Sequence, residues 1–207
     1  MSLESGSCHA LLITAHCDDA ELWAGGTIAR WHDMGLGTTV AVFHHNGIRR
    51  SETLAASSIL GFEPLFWDYD RDSSDWVLEL LVDRRPEVLL THPEWDPHLE
   101  HQAVHHSVKR ALLRHGDRRH HPKRWYAFDT YYLSKSPTNW PLLVDIGETW
   151  PRKEQALSEH RSQNIDELIS MARHAAALLG MRARLACAEA FYPFDLLGRW
   201  PKLRDLP

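Results

Sequence analysis

Apolar residues along this chain gather in short unbroken runs, separated by longer amphipathic stretches. The run Ala10-Leu11-Leu12-Ile13-Thr14-Ala15 predicts a strand buried on both faces, and Thr38–Phe43, Leu65–Trp67 and residues 87–91 read the same way. Between them the spacing predicts helices. Residues 20–34 place Leu22, Ile28, Ala29 and Trp31 at apolar positions and stop at Gly35. Residues 49–60 end at Gly61, and a helix capped by Ser74 or Asp75 runs to Arg84 before Pro86 breaks it. Residues 99–114 form a further helix. In the last third, 125–133 and 142–146 read as strands, and 152–160 and 164–179 as helices, with Pro151 in a first turn. The stretch from Tyr192 to Pro207 is rich in proline and charge and is expected to wrap the surface.

Alternation of strand and helix over the first two-thirds predicts an α/β domain: a mostly parallel sheet with helices on both faces and right-handed crossovers. In such sheets ligands bind beyond the carboxyl ends of the strands. Neither a repeat nor a linker divides the chain, so residues 1–207 read as one domain with its core at about 10–191. Hydrophobic residues make up 43% and charged residues 25%, which suits a globular protein. A formal charge of −5 and no basic stripe argue against a nucleic-acid partner; the densest basic stretch, Arg114–Arg124, reads as a solvated loop. Cys8, Cys17 and Cys187 form no CxxC pair, which fits a reducing cytoplasm. Neither a signal-peptide pattern nor an apolar run of membrane-spanning length is visible, so a soluble protein without a membrane partner is expected.

Chemistry concentrates at two strand ends. The first strand delivers His16-Cys17-Asp18-Asp19, and the segment after 87–91 delivers His98-Leu99-Glu100-His101. A hydrolytic metal site uses about three protein ligands and leaves a position for water. His16, Asp19 and His101 supply two imidazoles and a carboxylate. Asp18 is then free to act as general base, and His98, one helical turn before His101, can present a proton to a developing oxyanion. The plainer reading of Asp18-Asp19 is an N-cap and first-turn pair at a helix start, and most of the 15 histidines must be surface residues.

These residues carry a resemblance. Thr14-Ala15-His16-Cys17-Asp18-Asp19-Ala20-Glu21-Leu22 followed by Gly25-Gly26-Thr27-Ile28 resembles the opening A-H-P-D-D-x-E motif of the LmbE-like (PIG-L) zinc-dependent N-deacetylases. Pro97-His98-Leu99-Glu100-His101 is similar to the family's H-P-D-H element. Arg49-Arg50-Ser51-Glu52 with Ala55-Ala56 and Leu60-Gly61 resembles its R-x-x-E-L-x-x-A-A-x-x-L-G segment. Lys153, Ala156-Leu157, His160-Arg161-Ser162-Gln163 and Ala188-Glu189-Ala190-Phe191 follow its later pieces. The resemblance implies a Rossmann-like fold and hydrolytic removal of an N-acyl group, usually acetyl, from an amino sugar, nucleoside or glycoconjugate. It implies one zinc per chain on His16, Asp19 and His101, although Fe(II) or Co(II) suits the same donors. It assigns Asp18 as base and His98 as the proton-donating electrophile, and matches Arg49 to a substrate-contacting arginine. A helix-start arginine paired with Glu52 is the other reading of Arg49. Bacterial secondary metabolism is a setting such relatives occupy, and a homo-oligomer is a form they often take. An amidase of thiol or antibiotic conjugates, or a metal-binding module without turnover, are the alternatives.

Two departures stand out. Cys17 replaces the motif's proline, and reads as a packing residue ahead of an oxidisable thiol or an extra ligand. Glu100 replaces an aspartate, so a carboxylate supporting a histidine has to reposition. Of nine tryptophans, most belong to the core. Trp95, between the sheet edge and the second cluster, is the expected stacking surface for substrate, with Trp140 the weaker candidate. His44-His45-Asn46 and Trp67-Asp68-Tyr69-Asp70 are expected to face the site.

Overall fold

The computed structural model describes residues 9–67, 73–114, 121–132 and 141–194. Asp68, Tyr69, Asp70, Trp140 and everything from residue 195 onward lie outside the described residues. Elements alternate as the hydrophobic runs predict: β1 (Ala10–Thr14), α1 (Asp19–Asp33), β2 (Thr38–Val42), α2 (Gly47–Leu60), β3 (Glu63–Phe66), α3 (Ser73–Arg84), β4 (Val88–Thr91), α4 (Leu99–Arg114) and β5 (Arg124–Phe128). There follow β6 (Leu142–Asp145), α5 (Trp150–Leu157), α6 (Ile165–Ala183) and β7 (Ala188–Pro193). They form one seven-stranded sheet in the order β3-β2-β1-β4-β5-β7-β6. The first five strands are parallel; β7 runs antiparallel to both β5 and β6.

The sheet separates two cores. On one face Trp31, Ile28, Leu60, Ala156 and Ala172 from α1, α2, α5 and α6 pack with Leu12 and Leu90. On the other, Val77 and Leu81 of α3 and Val104 and Val108 of α4 cover Leu11, Ile13 and Leu89. This matches the expected single α/β domain with helices on both faces.

Gly26 allows α1 to settle against the segment after β6: a Cβ there would lie 2.6 Å from Ile146 Cβ. Gly61 ends α2 in the left-handed region at φ 80° and passes directly under the His32 ring.

Two expectations need correcting. The 125–133 strand stops at Phe128, and Thr130–Tyr132 form a 3₁₀ turn with Tyr131 at φ 52°. Residues 188–193 are a fully buried strand inserted between β5 and β6, so Tyr192 and Pro193 belong to the sheet instead of a surface tail. The signal in that run is interrupted by Glu189, whose charge is satisfied internally. Its carboxylate accepts from Lys153 Nζ (2.6 Å), Gly26 N (2.9 Å), Thr27 N (2.8 Å) and Thr27 Oγ1 (2.6 Å). This buried node joins α1, α5 and β7.

Candidate metal centre

Strand order reverses between β1 and β4, which pair directly, Ile13 opposite Thr91. Both clusters leave the carboxyl ends of these two strands, so they meet at the topological switch point. Asp19 opens α1, and its Oδ2 accepts from His16 N (2.7 Å), closing the turn that brings both side chains to one spot. His101 lies in the first turn of α4.

Three donors converge there. His16 Nδ1 is 3.4 Å from Asp19 Oδ2, His101 Nε2 is 3.4 Å from Asp19 Oδ1, and the two imidazole nitrogens are 3.2 Å apart. Metal–donor bonds of the usual length arranged as a tetrahedron hold ligand atoms about 3.3 Å apart; the two imidazole nitrogens meet that spacing, and Asp19 offers each of them a different carboxylate oxygen, with His98 and His92 completing two overlapping groups of possible ligands around His101. The opposite nitrogens face carboxylates, as ligating histidines commonly do. His16 Nε2 lies 2.6 Å from Glu100 Oε2, and His101 Nδ1 lies 2.9 Å from Asp96 Oδ2. Glu100, which stands where the motif has aspartate, thus meets His16. Asp96 is buried and braced: Thr130 Oγ1 donates to Oδ2 (2.5 Å) and His98 N to Oδ1 (2.8 Å).

Electrostatics also favour a cation. Burial raises the Asp19 carboxyl, but the charges of His92 and His101 and bonds from His101 and His16 outweigh it and hold the group well below the usual carboxylate range. Burial opposes protonation of His101, yet Asp19 and Asp96 carry it up to about 10. Positive charge is stable at this point, and a metal can supply it in place of a proton.

Asp18 occupies the N-cap position of α1, yet its side chain makes no capping hydrogen bond. Its Oδ1 accepts from Arg49 Nη2 at 2.9 Å instead. Arg49 therefore pairs with Asp18 and not with Glu52, whose carboxylate accepts from Ser162 N and Oγ. The ring of His98 lies 4.9 Å from His16 and 4.7 Å from His101, and it remains well exposed at the mouth. Its Nδ1 accepts from Glu100 N (3.3 Å).

Of the segment after β2, only His44 approaches the cluster, its ring 5.9 Å from His16. His45 turns the other way, to Trp67 O at 3.0 Å, and Asn46 caps α2 by accepting from Arg49 N at 3.0 Å. Successive residues leaving a strand point to opposite sides, which accounts for the split. Cys17 is a packing residue: burial pushes its thiol up to about 11, and its Sγ lies 3.8 Å from His44 O.

Trp95 is placed differently from expectation. Its ring packs edge-on against Tyr192 at 6.1 Å and against Phe194 at 5.7 Å. The aromatic side chain that accompanies the cluster is Tyr131, near-parallel to His101 at 6.2 Å and edge-on to Trp23 at 5.2 Å.

Three participants escaped the sequence reading. Tyr131 is one. Asp96 is another, although an acidic residue five before the candidate ligand His101 is a usable signal. His92, fully buried beside the cluster, has Nε2 3.1 Å from Asp19 Oδ2 and its ring stacked 3.7 Å from His101. It is the first residue past a buried strand, a position that the rule for parallel sheets marks.

Residues 11–112, which include every residue of this cluster except Tyr131 and Thr130, match the family described as PIG-L: GlcNAc-PI de-N-acetylase. Solved structures share the whole fold. The conserved protein TT1542 from Thermus thermophilus is 23% identical, with a TM-score of 0.76 over 96% of this chain and 100% of that one. The 4-carboxy-2-hydroxymuconate hydratase GalB from Pseudomonas putida KT2440 is 22% identical, with a TM-score of 0.78 over 96% and 98%. The N,N'-diacetylchitobiose deacetylase from Pyrococcus horikoshii is 19% identical, with a TM-score of 0.74 over 96% and 88%. At these identities the likeness establishes the fold, and the frame hosts both a hydratase and a deacetylase. No helix among the described residues is long and apolar enough to cross a membrane.

Proposed function

This chain belongs to the PIG-L (LmbE-like) family, and from that premise we propose that it is a metal-dependent hydrolase removing an N-acyl group, acetyl above all, from a small amino sugar or its conjugate. The observation that carries the reading is the convergence of His16 Nδ1 and His101 Nε2, 3.2 Å apart, on the carboxylate of Asp19, one oxygen 3.4 Å from each, beside the non-capping carboxylate of Asp18. Zinc is the proposed ion, one per chain. When bound, it polarises the amide carbonyl and lowers the pKa of water towards 7.

The rest falls to the chain's own groups. Asp18 takes a proton from the attacking water, and Arg49 holds Asp18 in place through the 2.9 Å contact. Water oxygen bonds to the carbonyl carbon, the C–N bond breaks, and the proton leaves with the amine nitrogen. His98, beside the two other imidazoles, would steady the oxyanion. Glu100 and Asp96 keep the two imidazoles turned inward.

Purified protein, with and without added zinc, is to be assayed for amine and acetate release from N-acetylglucosamine, N-acetylglucosaminides and N-acylated nucleosides, alongside Asp18→Ala. Zinc-dependent release that the variant loses is the expected result. No release from any compound, with one metal bound per chain, would overturn the amino-sugar reading and favour an unusual amide, such as a thiol or antibiotic conjugate, or a binding role. A hydration of an unsaturated acid in the same samples would replace hydrolysis with the chemistry named for the Pseudomonas putida neighbour.

A further inference from the structure

Among the described residues, three non-glycine positions adopt positive φ, and one of them, Tyr131 at φ 52° and ψ 16°, lies beside the metal centre. A left-handed tyrosine is strained, and such strain persists where the surroundings enforce it. Here they do: Thr130, its neighbour, donates to buried Asp96, and Asp129 N is tied to Ala190 O on β7 (3.1 Å). The turn therefore directs one aromatic ring to the mouth. That ring lies near-parallel to His101 and edge-on to Trp23, and Tyr131 as a residue is 37% exposed. An exposed tyrosine beside the candidate centre suits the apolar face of a pyranose ring.

Resting on the deacetylase reading above, we propose that Tyr131 is the aromatic platform on which the sugar ring of the substrate stacks, and so a specificity-determining residue of this site. The role follows from the ring and not from the phenolic hydroxyl. It also accounts for the strain: a relaxed backbone at 131 would carry the ring elsewhere, and no other tyrosine, tryptophan or phenylalanine among the described residues combines this exposure with contact to a ligand histidine.

The test compares Tyr131→Phe, which keeps the ring, with Tyr131→Asn, which tolerates the left-handed backbone but removes it. N-acetylglucosamine serves as substrate and glucosamine as the ligand for equilibrium binding, with thermal melting as the control for folding. The expected result is that Phe stays within about twofold of wild type, while Asn raises KM and weakens glucosamine binding about tenfold with kcat little changed, the scale of a lost aromatic contact. Should Asn fold poorly, Tyr131→Gly carries the same expectation. Unchanged KM and glucosamine binding in the Asn or Gly variant would overturn the proposal, and so would a Phe variant as impaired as Asn. Wild-type protein that binds glucosamine but hydrolyses no N-acyl sugar would sink the deacetylase reading while leaving the platform standing; binding of neither sugar would overturn the platform.

Discussion

The carboxylate of Asp96 lies 2.9 Å from Nδ1 of His101, while the other nitrogen of the same ring lies 3.4 Å from Asp19. One imidazole thus lies between two buried acids, whose charges raise its basicity. Asp96→Asn keeps the shape but removes the charge. Metal affinity is expected to fall about 10–100-fold, the usual cost of losing such a partner. A competitive chelator titration reads it, and unchanged affinity would show that Asp96 only braces the loop.

Asp18 touches the site without belonging to the donor triangle. Asp18→Ala is expected to leave one metal per chain while kcat falls about 10²–10⁴-fold, the range for a general base. Elemental analysis of the purified variant, run beside its kinetics, separates the two effects. Full activity would refute the assignment of Asp18 as base.

Lys153 and Glu189 are both buried and 2.6 Å apart. Removing one partner strands the other charge inside the protein. Glu189→Gln is expected to cost about 3–5 kcal/mol, and the double change with Lys153→Met to recover a good part of it. Denaturant unfolding of the three proteins decides this; a single variant as stable as wild type would mean that the pair is not coupled.

Burial pushes the Asp129 carboxyl up to about 6, with Arg182 offsetting only part of the effect. A folded value above the unfolded one means that the native state holds the proton more tightly. The contribution to stability is therefore complete below about pH 4 and lost as pH rises through 6. Asp129→Asn should be more stable than wild type at pH 7, by on the order of 2–3 kcal/mol, and indistinguishable near pH 4. Melting curves across pH 4–7 test the sign. A variant destabilised at neutral pH would show that the carboxylate has a partner worth more than its desolvation.

Trp95 packs between Tyr192 and Phe194, so its loss is expected to register in stability before catalysis. Trp95→Ala should lower stability by about 1–3 kcal/mol, less than a fully buried tryptophan, with KM unchanged. A raised KM at intact stability would restore the substrate contact expected from its place in the chain.

What could be read in the chain was local. Unbroken apolar runs marked β1 and β4, and the residues just past them, His16, Asp18 and Asp19, follow from strand-end position. His98 and His101 share one helical turn, so their spacing alone puts them together. The decisions made only in three dimensions join distant residues. Glu100 reaches His16 across 84 positions, and Lys153 satisfies Glu189 across 36, which lets a charged residue sit in the buried strand β7 between β5 and β6. Arg49 chose Asp18 over Glu52 because α2 docks its first turn against the start of α1. Likewise, one left-handed residue turned Tyr131 towards the metal centre while Trp95 was taken up by β7. Periodicity records which face of an element is apolar. Which remote side chain completes a buried charge, and where a ring points, depends on packing and backbone torsions that no local window contains.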